Sequence, residues 1–451
     1  MYALALKNFL GSRATHIGLA FILLTGVVSL FIGKRFLAQQ NETIALTTHH
    51  QQQHIEKHVQ FFNSEMGSLL YYLRFSLVNP PDQLAGISIG QRDVNPSIHS
   101  VTIRNLESQK YDTDLNNPFN LLLGNLDFGF VIIYLFPLLI MAFTYNVLSE
   151  EKEGGTWNMI RLHARSPLQV LWQKIGLRMA VVYAAAALLL IVAVEILSLP
   201  LNTSLMAVVL LFFLYLLFWF TLSFWVVSWQ KSSSFNAVCL LALWVVLTIL
   251  SPALVNSYIS HAYPVAEALE TAVKQRQGYH EKWDMDKQHT MNKFYAHYPQ
   301  FKQYPLPDKQ FSWLWYFAMQ QMGDDDARQE SKKFNEKLWK REEVSTRIAL
   351  ALPVLHTQHA LNNLAGTGLQ NHLQFMETTN AFHEKMRLFF YPKIFEESPV
   401  SSVNWKNMQV QYFSSRPDIR WVSMLLPLIL LSSVLFWLGQ NQFRRSQGKE
   451  A

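Results

Sequence analysis

His50, His54 and His58 recur at four-residue intervals, so a helix would stack three imidazoles along one face, with His49 beside them. Imidazoles at that spacing can share a metal ion. Glutamines and Lys57 surround them, and Glu56 is the one carboxylate close by, so the favoured reading is a solvated polar face and no metal site. Glu195 is the one acidic residue inside an apolar run. Its place near Pro200 reads as an interfacial or interhelical polar contact rather than an ion relay. The chain has no G-x-x-x-x-G-K-[ST], H-E-x-x-H or G-x-S-x-G motif. It is therefore not expected to be an enzyme or to hold a cofactor. With Cys239 as its one cysteine, it can form no internal disulfide and no thiolate metal cluster.

The elements that would position such groups are mostly apolar. Of 451 residues, 50% are hydrophobic and 16% charged, against about 25% charged in soluble domains. A helix needs about 20 apolar residues to cross a bilayer. Six runs qualify: His16–Phe36, Phe128–Leu148, Met179–Leu199, Leu205–Trp229, Phe235–Val255 and Trp421–Leu438. The first reads as a span rather than a cleaved leader, because it is long and no A-x-A site follows. The fold class expected is an all-α polytopic membrane protein with six transmembrane helices. A mainly helical extracytoplasmic domain would be built from two insertions.

The expected divisions are 1–37 (an interfacial helix and the first span), 38–127 (first insertion), 128–255 (spans two to five, with a loop at 149–178), 256–420 (second insertion) and 421–451 (sixth span and tail). Basic residues concentrate in the N-terminal arm, in the 149–178 loop, at Lys231 and in the tail, while the link "PLNTS" has none. That asymmetry predicts both termini on the cytoplasmic side. The net charge of +6, with no dense basic block, gives no sign of nucleic-acid binding. Tyr2, Leu6, Phe9 and Leu10 fall on one face of a short interfacial helix. In the first insertion a polar helical stretch breaks at Asn79-Pro80-Pro81, and "IHSVTIRNL" reads as extended. The second should hold helices near Val265–His297, Gln310–Arg347 and Leu369–Phe390, with Phe311, Trp315 and Met319 on one buried face.

The stretch "LSEEKEGGTWNMIRLHARSPLQVLWQK" (Leu148–Lys174) is unlike a simple turn. Glu150, Glu151 and Glu153 close span two. Gly154-Gly155 permits a sharp reversal, and Thr156 can cap a new helix. Trp157, Met159 and Ile160 then form a small apolar face flanked by Arg161, Arg165 and Lys174. An exposed Trp and Met beneath a membrane suit docking to a protein, and a helix lying on lipid is the alternative.

This pattern resembles the coupling-helix region of type-2 ABC transporter permeases. "NPPDQLAGISIGQRDVNP" (Asn79–Pro96), "NNPFNLLLGNLDFGFVIIYLFPLL" (Asn116–Leu139) and "LPVLHTQHALNNLAGTGLQNHLQF" (Leu352–Phe375) resemble a bacterial subgroup with large insertions after spans one and five. The resemblance covers nearly the whole chain. It implies a permease subunit of the bacterial inner membrane, exporter-type, with no ATPase of its own. ATP and Mg would sit on a cytoplasmic ATP-binding partner, and two permease chains, identical or sister, would pair in the lipid membrane. Glu150, Glu151, Glu153, Gly154, Gly155, Thr156, Trp157, Met159, Ile160 and Arg161 would form the ATPase-coupling turn. Trp157 departs from the smaller aliphatic residue more usual there. Asn79, Pro80, Arg92, Asp93 and Asp127 would be structural, with Arg92 pairing Asp127 at the mouth of span two. The rival readings are a mechanotransmitter that moves its extracytoplasmic domain while nothing crosses, and a membrane-anchored receptor.

Overall fold

The computed structural model describes residues 2–110, 125–159, 166–265, 273, 277, 281–415 and 418–450. The short helix α1 (Tyr2–Leu10) packs Phe9 edge-on against Phe143 at 5.0 Å. Ser12 then caps α2 (Arg13–Phe61), its hydroxyl accepting from the Thr15 amide. This helix runs for 49 residues without a break and so crosses the expected division at 37. Neither Gly nor Pro follows the apolar stretch closely enough to stop it. Beyond it come α3 (Met66–Tyr72), β1 (Phe75–Val78) and β2 (Ile98–Val101).

The remaining spans are α4 (Phe128–Glu153), α5 (Pro167–Leu197), α6 (Thr203–Val227) and α7 (Ser233–Ala262). After α7 come α8 (Lys287–His297), α9 (Trp313–Ala349), α10 (Pro353–Ala365) and α11 (Leu369–Phe395), then β3 (Gln411–Tyr412) and the last span, α12 (Trp421–Glu450). Six of these helices are long and apolar enough to cross a membrane. Their ends follow local chemistry. Asn202 and Ser312 cap α6 and α9, and left-handed Gly366 (φ 63°) closes α10.

The bundle is centred on α4 and α6, whose Phe128, Phe136, Phe212, Tyr215 and Trp219 are fully buried, while α7 and α12 are mostly exposed. Small residues allow close crossings: a methyl group at Gly26 would lie 2.6 Å from Leu189, and one at Gly439 2.5 Å from Phe224. Two wide turns interrupt the spans, at Val131–Leu135 in α4 and Val246–Leu250 in α7. Neighbours satisfy carbonyls in the first. Tyr215 Oη donates to Ile133 O at 2.6 Å, and Trp244 Nε1 donates to Tyr134 O at 3.2 Å.

The long segments between spans contribute a second core of Phe75, Leu77, Phe294, Phe317, Phe375 and Tyr391. Their small sheet has the order β2-β1-β3, antiparallel then parallel, with Phe75 opposite Val101 and Val78 opposite both Ile98 and Tyr412. Buried Gln51 of α2 fastens this inter-span domain to the rod: its Oε1 accepts from the Ser76 amide (2.6 Å) and its Nε2 donates to Met408 O (3.0 Å). Trp315 and Met319 are buried as expected, but Phe311 precedes the helix and stays exposed.

The helix α10 was not expected. It belongs to the bundle rather than to the inter-span core, burying Val354, Leu361, Leu364 and Ala365 against the spans. His356 Nε2 lies 2.8 Å from Met424 O of α12.

Candidate functional site

The turn after α4 is set by its glycines. The Gly154 amide donates to Glu150 O at 2.8 Å, and Gly155 has φ +72°, where a side chain would be strained. Nothing crowds Gly155, so backbone conformation and not space demands glycine there. Each acidic residue is then engaged. Glu150 accepts from Asn146 Nδ2 at 3.0 Å. Glu151 accepts from Lys174 Nζ and from the Thr156 hydroxyl. The Thr156 hydroxyl thus reaches back to the helix just ended.

Glu153 reaches across to the link between α6 and α7. Its two oxygens accept from the Ser233 amide (2.8 Å) and hydroxyl (2.9 Å), and Ser149 Oγ lies 2.7 Å from Ser233 Oγ. Lys152 Nζ donates to Gln230 Oε1 at 2.5 Å, and Gln230 Nε2 donates to Ser446 Oγ of α12 at 2.6 Å. Sequence reasoning missed Ser149, Gln230, Ser233 and Ser446. The serine run of "QKSSSFN" is visible in the sequence but names no distant partner.

The apolar face divides. Met159 is 67% exposed, but Trp157 is only 7% exposed and belongs to the core of the bundle, with Lys152 Nζ 5.9 Å from its ring. The expected exposed tryptophan is therefore an anchor, because positions two apart on a helix face opposite ways. Ile160, Arg161 and Arg165 lie outside the described residues.

At the opposite end of the bundle, the expected Arg92–Asp127 pair is absent. The Arg92 guanidinium donates to the carbonyls of Asn79 (2.6 Å) and Pro80 (3.4 Å). Burial lowers its pKa to about 10. Asp127 is taken up by main-chain amides instead, those of Phe130 (2.7 Å) and Ile89 (2.9 Å), so it caps α4 and holds the preceding loop. Burial raises it to about 6 despite those amides. Asn79 Nδ2 donates to Asn371 Oδ1 at 2.9 Å, and Asp93 Oδ2 accepts from Asn125 Nδ2 at 2.7 Å. These five residues join the two long segments to the top of α4.

Two other features lie in the inter-span domain. The rings of His54 and His58 lie 3.9 Å apart, tilted by 46°, while His50 is exposed; His54 Nε2 lies 3.3 Å from Tyr72 O, and His58 Nδ1 lies 2.8 Å from His54 O. A cleft of about 720 Å³ lies between α9 and α11. Its carboxylates largely serve the protein itself: Asp324 pairs with Arg387 at 2.7 Å, and Glu384 accepts from Tyr298 Oη at 2.8 Å.

The family described as "ABC-2 family transporter protein" matches residues 4–307, more than half of the chain. The chain belongs to the ABC-2 transporter family. It is a type-2 ABC permease, a multi-pass membrane component of a transport system, in a family that is not catalytic. A second family, "Domain of unknown function (DUF3526)", matches residues 267–413, most of the second long segment of this permease. No curated protein and no solved structure matches it.

Proposed function

We propose that this permease takes up the ATP-driven movement of a separate cytoplasmic ATP-binding subunit through the Leu148–Lys174 turn and uses it to export a solute across a bacterial inner membrane. The observation that carries the reading is the construction of the turn. Gly155 fixes a reversal, Trp157 roots it in the bundle, and Met159 stands out from it. A docking element needs this rigidity, because a knob that yields transmits no displacement. The sequence contains no phosphate loop, in keeping with ATP and Mg bound by the partner. Both termini and the turn face the cytoplasm. Two permease chains pair, with the path between them. The shortage of charge within the spans favours an amphiphilic cargo over a small ion.

The test is affinity purification in mild detergent from the native host. Wild type should bring down an ATP-binding protein, and Gly155→Pro combined with Met159→Asp should lose it while remaining folded and inserted. A folded wild type that recovers no ATP-binding protein refutes the reading. One observation favours a second reading, in which the chain moves its inter-span domain and nothing crosses: α2 passes unbroken from the bundle into that domain and is fastened there by Gln51. Flux into vesicles, driven by ATP and dependent on substrate, separates the two.

A further inference from the structure

The turn is covalently continuous with α4 and α5 alone. α7 and α12 are not its chain neighbours, so movement delivered there reaches them through packing and side-chain contacts. Among the described residues, two polar bridges run from the turn to two different spans.

The first bridge runs to α7. Ser233 is its first residue, and its amide is one of the donors that a helix leaves without an intrahelical partner. Ser232 caps the same helix locally, accepting from the Phe235 amide. Glu153 supplies the acceptor for Ser233 from outside, with one oxygen on the amide and the other on the hydroxyl. A carboxylate at a helix N-terminus also meets the positive end of the helix dipole. Glu153 is therefore a cap in trans: a residue of the docking turn completes the start of the fifth span. Ser149 adds a third contact to the same serine.

The second bridge runs to α12. Gln230 adopts a left-handed backbone conformation (φ 56°), uncommon for a residue with a side chain. Its amide group is used at both ends, accepting from Lys152 and donating to Ser446. Lys152 and Glu153 are adjacent in the turn, so one displacement pulls on both bridges.

We propose that Gln230 and Ser233, with Ser446, are positioning residues that clasp α7 and α12 to the docking turn, so that spans five and six follow the ATPase stroke together with spans two and three. The proposal rests on the docking reading above and adds the route by which that movement spreads. Neither residue lies on the exposed face of the turn, so breaking the clasp leaves docking in place.

The experiment uses the full permease with its copurified ATP-binding subunit in nanodiscs, in a Cys239→Ser background. One pair of spin labels, at 206 and 258, reports the end of α7 far from the turn against α6, which the clasp does not hold; Met206, Tyr258 and Val422 are all exposed. A second label pair, at 206 and 422, isolates α12 from α7. The broken clasp is Ser233→Pro with Gln230→Asn: proline suits the first position of a helix and has no amide or hydroxyl to donate to Glu153, and asparagine tolerates the left-handed backbone but is too short to bridge both partners. In wild type, ATP should shift the label distances. In the double variant the ATP-binding subunit should still copurify and hydrolyse ATP, and the distance without nucleotide should stay the same. The ATP-induced shift should fall by at least half. Ser446→Ala removes only the α12 bridge and serves if the double variant does not fold: it should diminish the shift of the 206–422 pair. A full shift in the double variant, or in Ser446→Ala where that variant is the one used, overturns the clasp and leaves docking standing. Failure of wild type to recover any ATP-binding subunit overturns both.

Discussion

Replacing Gly33 by alanine should damage this protein more than its small size suggests. Gly33 lies where α2 crosses the single turn at Gln83–Gly86. A methyl group there would sit 2.0 Å from the carbonyl oxygen of Gly86 and 2.8 Å from its carbonyl carbon. A carbon and a carbonyl oxygen pack no closer than about 3.3 Å, so the two backbones must part by more than about 1 Å. Neither atom belongs to a side chain, and no rotamer change relieves the clash. Gly86 is itself tightly enclosed, since a methyl group on it would meet Leu37 of α2 and Leu197 of α5, each at 2.9 Å. Overpacking of a tight contact costs about 1–3 kcal/mol, and a contact of main chain against main chain belongs at the upper end. At about 2 °C per kcal/mol for a large chain, Gly33→Ala should lower the melting temperature by about 5 °C. Tryptophan emission in nanodiscs during a thermal ramp measures it. Gly176→Ala is the matched control: it is also within a spanning helix, is exposed and has nothing within 4 Å. It should melt at or slightly above wild type, because alanine favours a helix over glycine by about 0.5–1 kcal/mol. If the two variants melt together, the close crossing is not a constraint and the argument fails.

Three further outcomes are expected. Asp127→Ala should cost about 1–3 kcal/mol for each amide left without an acceptor, here those of Ile89 and Phe130. Asp127→Asn should cost less in the same melts, because it keeps one acceptor and carries no charge to bury. Acid should loosen the inter-span domain through His99, whose two ring nitrogens have no partner and whose pKa burial lowers from 6.5 to about 4, with His372 and Lys110 adding to the effect. The stability this histidine contributes is complete above its unfolded value and is lost as pH falls toward about 4. It amounts to about 3 kcal/mol, and His99→Phe should flatten near-ultraviolet circular dichroism titrated from pH 7 to 4. Arg387→Met should cost about 1–3 kcal/mol by removing a buried guanidinium from half-buried Asp324, which keeps the amides of Leu106 and Glu107. The charge also holds Gln321 and the carbonyls of Ile103 and Arg104. Faster proteolysis of the inter-span domain is the readout, and adding Asp324→Asn should recover part of the loss.

The spans were legible because about 20 apolar residues suffice whatever surrounds them. The strand β1, "FSLV", was not, since four buried residues in a row show no alternation. The helix α10 was missed although Val354, Leu361, Leu364 and Ala365 share a helical face; its histidines and asparagines made it look solvated. At the turn, sequence chemistry identified Gly155 and the acidic group. It did not separate buried Trp157 from exposed Met159, which depends on how the turn is rotated against the bundle. The expected Arg92–Asp127 pair matched opposite charges and overlooked the main chain: carbonyls took the guanidinium and amides took the carboxylate. The bridges to Gln230 and Ser233 join residues about 80 positions apart, and only a folded chain brings such residues together.

The uninterrupted α2 has a mechanical consequence. A helix of 49 residues is about 73 Å long at about 1.5 Å per residue. With no proline along it and Gln51 fixed at its far end, it behaves as a beam rather than a tether. A tilt of about 5° at one end displaces the other by about 6 Å over such a length. A change within the bundle too small to alter its packing is thereby magnified, at a distance, into a movement the width of a side chain.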